Sequence, residues 1–314
     1  MRNARFSRTS LTKQALVFTS LFTVSGLTLS EETETPSWDV SAPNYSAEVQ
    51  EIDLNVTEGT WMNLDVSPDG KHIAFDLLGD IYQIPITGGE AIPLLSGHSW
   101  EVQPQYSPDG RFLAFTSDRN GADNIWVMDL ANPDNKHQIT HESFRLLNNP
   151  SWHPSGDYLV AKKHFTTSRS LGTGEVWLYD ANVDQALTRG NLQGSVLVKR
   201  PSPAFQKELG EPTFSADGES VFYIQNTTPG NTFIYHEDSN GEVMAIKRYD
   251  LQTGEIEKVV GGAGGASVTV GCPAQLSLDE PLLIKFLARV NVLKLQPFCS
   301  HSLGLCSVSW AVCK

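Results

Sequence analysis

A turn signature that recurs four times constrains the fold of this chain more than any other feature. It reads Ser-Pro-Asp-Gly at 67–70 and 107–110, His-Pro-Ser-Gly at 153–156 and Ser-Ala-Asp-Gly at 215–218. In such turns proline fixes the first central φ, aspartate bonds its own backbone, and glycine adopts a conformation that side chains disfavour. An apolar run follows each turn, as at 73–75. Each copy therefore predicts a turn followed by a β-strand.

The repeat spacing indicates how these turns and strands are organised. Successive signatures begin 40, 46 and 62 residues apart. A second strand rich in β-branched and aromatic residues follows each first strand, at Ile81–Ile84, Ile125–Asp129, Val176–Asp180 and Ile246–Asp250. Further turns are predicted at 87–89, 132–135 and 253–255. A period of about 40 residues without helical patterning is typical of a β-propeller with one four-stranded blade per repeat.

A two-sheet β-sandwich is the alternative fold, since it also has short strands and turns. A sandwich, however, gives no reason for the sequence to repeat itself. We therefore predict an all-β fold, a β-propeller of four-stranded blades. We expect it to be incomplete, with about four to five blades in an open arc, because four copies and a disturbed fifth cannot close a larger ring.

The repeats resemble the blades of TolB-like propellers. The run from Glu58-Gly59-Thr60-Trp61 through Gly88-Gly89-Glu90-Ala91 is similar to the amino-terminal propeller of secreted bacterial amidohydrolases. Further matches are Thr116–Arg119, Lys163–Phe165, Arg169–Gly172 and Gly261–Ala266, so the resemblance covers about residues 50–266. It implies that a metal-dependent hydrolase domain of TIM-barrel type follows the propeller. It implies no catalysis by the propeller itself.

The two ends of the chain differ in composition from the repeats. Residues 1–30 combine basic residues with an apolar run from Ala15 to Leu29 and predict a cleaved signal peptide, hence a periplasmic or secreted protein with no membrane span after cleavage. An uncleaved membrane anchor is the alternative. Residues 31–50 predict a linker, or alternatively an outer strand that closes the ring. Residues 51–266 are the predicted blades.

The last segment, 267–314, abruptly loses the turn residues of the repeats. It contains all four cysteines, Cys272, Cys299, Cys306 and Cys313, in a spacing that matches no zinc pattern well. We predict an aberrant tail, disordered or produced by damage to the reading frame near Ala266. A natural divergent tail is the alternative.

The distribution of charge along the chain narrows the classes of partner that the protein could bind. Residues 31–266 hold 34 acidic and 15 basic residues, which leaves a net charge of −19 in a chain whose overall charge is −13. Such an acidic segment argues against nucleic acid or an anionic membrane as the partner. The composition is that of a soluble exported domain.

Searches for catalytic and metal motifs predict no catalytic residue, metal site or cofactor in this chain. His137 and His141 are spaced like ligands on a helix, but here they flank a strand end, where residues four apart do not share a face. No Gly-x-Ser-x-Gly elbow is present. The Asn-Gly pairs at 120–121 and 240–241 predict hairpin turns and not calcium loops.

One basic cluster stands out in the acidic segment. Lys163, His164 and Arg169 fall in a predicted insertion between two strands of the third blade. Functional residues concentrate on loops held by a rigid scaffold, so these three residues are the predicted binding residues. They could meet a carboxylate of a substrate or the acidic face of a partner domain. The alternative is a solvated hairpin whose charges balance neighbouring acids.

These features predict a binding or scaffold module associated with a periplasmic metal-dependent amidohydrolase. Its partner would be the downstream amidohydrolase domain or an envelope protein. Two alternatives remain, namely a stand-alone TolB-like envelope interaction protein and a catalytic propeller hydrolase with residues in its central channel.

Overall fold

The computed structural model describes residues 39–43, 55–167, 172–182, 193–234, 236, 240–263 and 265–266, together with the backbone of three short strands beyond them. The predicted signal peptide and most of the predicted linker and tail lie outside the described residues. The described part consists of β-strands joined by turns and loops. None of its residues belongs to a helix that is long and apolar enough to cross a membrane.

Sixteen of the strands form four sheets of four strands each, and each sheet is one blade. Blade 1 contains β1 (Leu64–Val66), β2 (His72–Leu77), β3 (Asp80–Pro85) and β4 (Ile92–Leu95); blade 2 contains β5 (Glu101–Tyr106), β6 (Phe112–Ser117), β7 (Asn124–Asp129) and β8 (Asn132–Gln138). Blade 3 contains β9 (Leu147–Trp152), β10 (Tyr158–Thr166), β11 (Gly172–Asp180) and β12 (Ser195–Val198); blade 4 contains β13 (Leu209–Phe214), β14 (Ser220–Asn226), β15 (Met244–Asp250) and β16 (Ile256–Val260). Every blade is an antiparallel meander in sequence order.

The repeated signature forms the turn between the first and second strand of every blade. Its glycines, Gly70, Gly110, Gly156 and Gly218, have φ of 69°, 71°, 79° and 76°. Each glycine amide donates to the carbonyl of the first turn residue, at 2.8 to 3.0 Å. This left-handed conformation is where glycine is favoured over other residues. The predicted turn-and-strand repeat is therefore confirmed in all four blades.

The second predicted strands are also confirmed, since they fall within β3, β7, β11 and β15. The turn predicted at 132–135 is wrong, because Asn132 already begins β8. The connection is made by Leu130 and Ala131 instead, with the Ala131 amide donating to Asp129 Oδ1 at 2.9 Å. Pro133 is tolerated in β8 because β8 is the edge strand of its sheet, where a missing N–H breaks no ladder.

The hydrophobic core lies between neighbouring blades. Blades 1 and 2 bury Ala74, Ile81, Leu95, Tyr106, Leu113, Phe115 and Met128; blades 2 and 3 bury Ala114, Ile125, Val127, Ile139, Leu147, Leu159, Ala161 and Tyr179; blades 3 and 4 bury Val160, Val176, Val198, Phe205, Leu209, Phe214, Val221 and Tyr223. Alternate residues of one strand therefore face opposite neighbours, since Leu113 and Phe115 of β6 face blade 1 while Ala114, between them, faces blade 3. Polar contacts also cross these interfaces. The Tyr106 amide donates to Asp65 Oδ2 at 2.8 Å, and Trp152 Nε1 donates to the Gln105 carbonyl at 3.1 Å.

Consecutive blades pack side by side, and the first strand of each blade contacts the first two strands of the blade before it. Within the described strands no comparable contact links blade 4 with blade 1. A three-stranded sheet of β17 (Thr269–Gly271), β18 (Pro297–Ser300) and β19 (Leu305–Val308) follows, and β17 lies against β13 and β14. The predicted all-β propeller of four to five blades is confirmed. Damage to the reading frame near Ala266 stays a prediction.

Candidate interaction face

The strand directions divide the blades into two ends. The end that carries the four signature turns and the connections between third and fourth strands is called the turn face. The opposite end, called the loop face, carries the connections between second and third strands and those between blades. The loop face includes the segments at 78–79, 96–100, 118–123, 139–146 and 199–208. Longer and less regular connections concentrate there, which is where a rigid scaffold presents binding residues.

At the inner rim of the loop face, the first strands of three blades each contain one residue with a strained backbone. Gln103, Asn149 and Glu211 occupy equivalent positions before a proline, with φ of 58°, 54° and 49°, and each lies at a break in the pairing register. Left-handed φ is uncommon for residues other than glycine and persists where the surroundings hold it.

Side chains of the preceding blade hold this strained backbone in two cases. The Gln103 amide donates to Asp76 Oδ2 of blade 1 at 2.7 Å, and the Asn149 amide donates to Gln103 Oε1 of blade 2 at 2.7 Å. The same Gln103 Oε1 accepts from Thr116 Oγ1 at 3.1 Å. Each blade therefore fixes the inner edge of the next, and the rim is a rigid base for the loops above it.

Lys163, the first of the predicted binding residues, points into the blade. It is 7% exposed, its Nζ forms an ion pair with Glu142 Oε1, and it lies 4.2 Å from the centre of the Trp177 ring. Glu142 belongs to the loop between blades 2 and 3, so the ion pair attaches that loop to β10. These contacts occupy the Lys163 ammonium within the domain.

His164, the second predicted residue, is half-buried on β10, where its amide donates to the Leu146 carbonyl at 2.8 Å. Burial lowers the pKa of its imidazole, and the positive charges of Lys162 and Arg145 lower it further, against the opposing effect of Glu208. The downward shift favours the neutral imidazole over its charged form. Arg169, the third predicted residue, lies outside the described residues.

An arginine–aromatic cluster adjoins these residues and was not predicted from the sequence. The guanidinium carbons of Arg145 and Arg200 each lie 4.5 Å from the centre of the Phe165 ring, and Arg145 is also 5.3 Å from the Phe144 ring. Phe165 in turn stacks on Trp177 with ring centres 6.5 Å apart. Arg145 and Arg200 are 55 residues apart. The sequence pair Phe144-Arg145 just before a strand could have indicated this cluster. The residues around the pair do not distinguish it from an ordinary loop.

Two lysines, Lys162 and Lys207, form structural contacts at the loop face between blades 3 and 4. Lys162 Nζ lies 2.5 Å from Glu208 Oε1, and its stem crosses Gly174 and Gly210, where an added Cβ would come within 2.7 and 2.5 Å of it. Lys207 is fully buried, and its Nζ donates to Thr228 Oγ1, to the Thr228 carbonyl at 3.2 Å and to the Pro229 carbonyl at 3.0 Å. A buried ammonium is retained when its protons are satisfied in this way. Both lysines therefore have structural partners.

Exposed apolar side chains are concentrated on the loop face. Twelve large hydrophobic residues in the described part are exposed, and seven of them lie on the loop face or on the segment that enters β1 from it. These seven are Trp61, Leu78, Trp100, Phe144, Leu146, Phe233 and Ile234, with Trp61 99% and Phe144 74% exposed. Phe144 and Leu146 are neighbours on one connection, and adjacent exposed apolar side chains are candidates for contact with a partner.

The turn face offers two clefts between neighbouring turns. The cleft between blades 1 and 2 has a volume of about 540 Å³ and is lined by residues including Gln83, Tyr106 and Asp109; the equivalent cleft between blades 2 and 3 has about 320 Å³. At the corresponding position between blades 3 and 4, His153 packs edge-on against Phe214 with ring centres 4.9 Å apart. Within the described residues no group of three or more His, Cys, Asp or Glu side chains is placed to hold a metal ion, and this includes His137 and His141.

Four meandering sheets packed side by side, with inter-blade cores and a loop-bearing end, define a β-propeller domain. The family model described as the TolB beta propeller domain matches residues 47–198. The turn geometry of blades 1 to 3 recurs in blade 4, beyond that match. The fold of the described residues is therefore that of a β-propeller, and residues 47–198 resemble the TolB propeller domain.

Sequence relatives include an uncharacterized protein, an uncharacterized peptidase and a TolB homolog. The chain is 30% identical over 168 residues to an uncharacterized protein of Agrobacterium fabrum, which covers 51% of this chain and 53% of that protein. It is 29% identical over 162 residues to the uncharacterized peptidase YuxL of Bacillus subtilis, which covers 45% of this chain and 24% of the peptidase. A TolB homolog of Chlorobaculum tepidum is 29% identical over 113 residues, or 35% of this chain and 24% of the homolog. The chain thus matches about half of the first relative and about a quarter of the other two.

Solved structures with a similar fold include proteins described as TolB. The one from Agrobacterium tumefaciens has 16% sequence identity and a TM-score of 0.49, covering 68% of this chain and 66% of that chain. TolB from Acinetobacter baumannii has 14% identity and a TM-score of 0.47, covering 68% of this chain and 44% of that chain.

Proposed function

We propose that this chain is a non-catalytic binding module of the bacterial envelope, and that its loop face holds a hydrolase domain. The observation that carries the proposal is the concentration of exposed apolar residues on the loop face beside Arg145. Interfaces are enriched in aromatic residues and arginine at their core, and Trp61, Trp100, Phe144 and Arg145 supply both. The predicted signal peptide supports a location in the periplasm or outside the cell.

Two observations support a hydrolase as the partner. The peptidase relative matches this chain over only a quarter of its own length, so most of that protein lies outside the propeller match. The resemblance to the amino-terminal propellers of secreted amidohydrolases implies the same arrangement with a metal-dependent enzyme. The propeller would position or screen the substrate while the chemistry takes place in the partner.

Affinity purification from envelope extracts of the source cell tests this function. The bait is the purified chain, compared with a Phe144→Ser/Leu146→Ser variant on the loop face and an Ile92→Ser variant on the turn face. Ile92 is 55% exposed and is therefore a matched control for an exposed apolar residue. Mass spectrometry identifies the proteins retained.

We expect the wild-type chain and Ile92→Ser to retain a polypeptide with a hydrolase domain. The double variant should retain at least about tenfold less, because burying two large apolar side chains contributes several kcal/mol to binding. Equal recovery by the double variant, or a retained set without any hydrolase, would contradict the proposal.

A stand-alone envelope interaction protein is the second candidate function, and the match to a TolB homolog favours it. The same purification separates the two functions by the identity of what is retained. A structural envelope protein recovered through the loop face, with no hydrolase, would support the second function over the first.

A further inference from the structure

Four cationic side chains meet at the loop face of blade 3, and one of them differs from the rest. Lys162 pairs with Glu208, Lys163 with Glu142, and Arg200 Nε lies 3.6 Å from Glu175 Oε1. Arg145 has no carboxylate partner among the described residues, although the chain carries a net charge of −13. The Arg145 guanidinium therefore differs from the other three cations of this cluster.

The surroundings of Arg145 hold its side chain in place while leaving its hydrogen-bond donors available. Its guanidinium carbon is 4.5 Å from the Phe165 ring centre and 5.3 Å from that of Phe144, so aromatic rings contact the guanidinium. Guanidinium groups stacked in this way keep N–H donors at their edge for bidentate contact with a carboxylate. Stacking also restricts a long side chain before a ligand arrives, which lowers the entropic cost of binding.

Arg200 contributes a second feature to this cluster. It contacts the same Phe165 ring at 4.5 Å, and its Nη1 is buried with no hydrogen-bond partner in the described part. A buried donor without a partner costs about 1–3 kcal/mol, so natural proteins usually satisfy such groups. Arg145 and Lys162 also lie close enough to His164 to lower its pKa, against the opposing effect of Glu208.

We propose that Arg145, supported by Phe144, Phe165 and Arg200, binds a carboxylate carried by an acidic peptide segment of the partner. Phe144 and Leu146, 74% and 45% exposed, flank the site and would contact apolar residues next to the acidic one. This proposal rests on the proposed function and names the chemistry of the surface that the loop face recognises. The predicted basic cluster at 163–169 pointed to this region, but the structure makes Arg145 and not Lys163 the available cation.

Fluorescence anisotropy with a rhodamine-labelled hexaglutamate peptide tests the site. The binding reaction contains the purified full chain at low ionic strength, with hexaglutamine as the uncharged control peptide. Because the chain is strongly acidic, long-range electrostatics oppose binding of hexaglutamate, so a saturable signal has to arise from a local site. Excess glutarate and excess inorganic phosphate serve as unlabelled competitors.

We expect hexaglutamate to bind and hexaglutamine not to bind. Arg145→Ala should weaken binding about tenfold or more, because a hydrogen bond to a charged group contributes about 1.5–3 kcal/mol. Arg145→Lys keeps the charge but loses the planar donor pair. The affinity of this variant for hexaglutamate should therefore lie between that of the wild-type chain and that of Arg145→Ala. Arg111→Ala is the matched control, since Arg111 also lies over a phenylalanine ring, at 5.1 Å from the centre of Phe112, but on the turn face.

Three outcomes would overturn this inference. They are no saturable binding of hexaglutamate up to about 1 mM, equal loss of affinity in Arg145→Ala and Arg111→Ala, and displacement by phosphate at lower concentration than by glutarate. Failure of the peptide to bind, together with hydrolase recovery that depends on Phe144 and Leu146, would remove only the carboxylate site. Failure of both experiments would remove the proposed function as well.

Discussion

At the scale of single residues, similar side chains in one small region have different roles. Lys163 and Arg145 both contact aromatic rings near β10, yet only Lys163 is buried against a carboxylate. The ion pair between Lys163 and Glu142 has side chains only 9% and 16% exposed. Removing one member of a buried pair leaves an uncompensated charge, and the resulting cost is far larger than for a surface pair.

Glu142→Ala should therefore destabilise the domain by about 2–4 kcal/mol, since it leaves the Lys163 ammonium buried beside Trp177 without a carboxylate. Urea denaturation followed by tryptophan fluorescence measures the free energy of unfolding. The double variant Glu142→Ala/Lys163→Met should recover at least half of the loss, because it removes the buried charge and keeps the packing.

Lys71→Ala is the control for that measurement. Lys71 and Asp69 form a surface pair at 3.3 Å, and the Lys71 side chain is 73% exposed. Its removal should change stability by less than about 0.5 kcal/mol. Equal stabilities of Glu142→Ala and Lys71→Ala would show that the Lys163 ion pair has no structural role.

At the scale of elements, the first strands of blades 2, 3 and 4 combine a regular ladder with one irregular position. The left-handed residues Gln103, Asn149 and Glu211 all precede a proline, and a bulge there re-aims the inner edge of the strand. Gln103 both adopts this conformation and bonds the next blade through its side chain. Conformational strain and lost hydrogen bonds can therefore be separated at this one position.

We predict that Gln103→Gly is at least as stable as Gln103→Ala. Both variants lose the bonds to Thr116 and Asn149, at about 1–2 kcal/mol, but glycine relieves the strain at φ of 58°. At Gln105, two residues further along β5 and not among the left-handed residues, glycine should be less stable than alanine by about 0.5–1 kcal/mol. Thermal unfolding of the four variants measures these differences, and the same ranking at both positions would contradict the account.

Much of the element structure could be predicted because turn chemistry is local. The signatures at 67–70 and 107–110 predicted their glycine conformations and the strands after them, since proline, aspartate and glycine set the backbone there. The turn expected at 132–135 failed because Asn-Pro-Asp-Asn is also compatible with an exposed edge strand, and edge position depends on the whole sheet.

The candidate site could be predicted only in part, for a related reason. Lys163 was noticeable as a basic residue in an acidic segment, but its neutralisation depends on Glu142, 21 residues earlier and in another connection. Arg145 and Arg200 come together on Phe165 only because β10 and the two inter-blade loops end at the same face. Long-range pairing of this kind has no local signal in the sequence.

At the scale of the whole molecule, the two ends of the propeller differ in chemical character. The turn face carries the four signature turns and the connections between third and fourth strands. Among the described residues, the loop face and the segment just before β1 hold seven of the twelve exposed large apolar side chains, and the loop face holds Arg145, which has no carboxylate partner there. Because the two ends differ in this way, we expect contacts with a partner to form at the loop face.

Site-specific photocrosslinking in the source cell tests whether the loop face contacts a partner. A benzoylphenylalanine side chain is placed at residue 144 on the loop face or at residue 92 on the turn face, two positions that are 74% and 55% exposed. We expect a discrete crosslinked product from residue 144 and no crosslinked product from residue 92. Mass spectrometry of the product from residue 144 should show a hydrolase domain in the captured polypeptide. Crosslinking from residue 92 alone, or equally from both positions, would contradict the assignment of the loop face as the interaction surface.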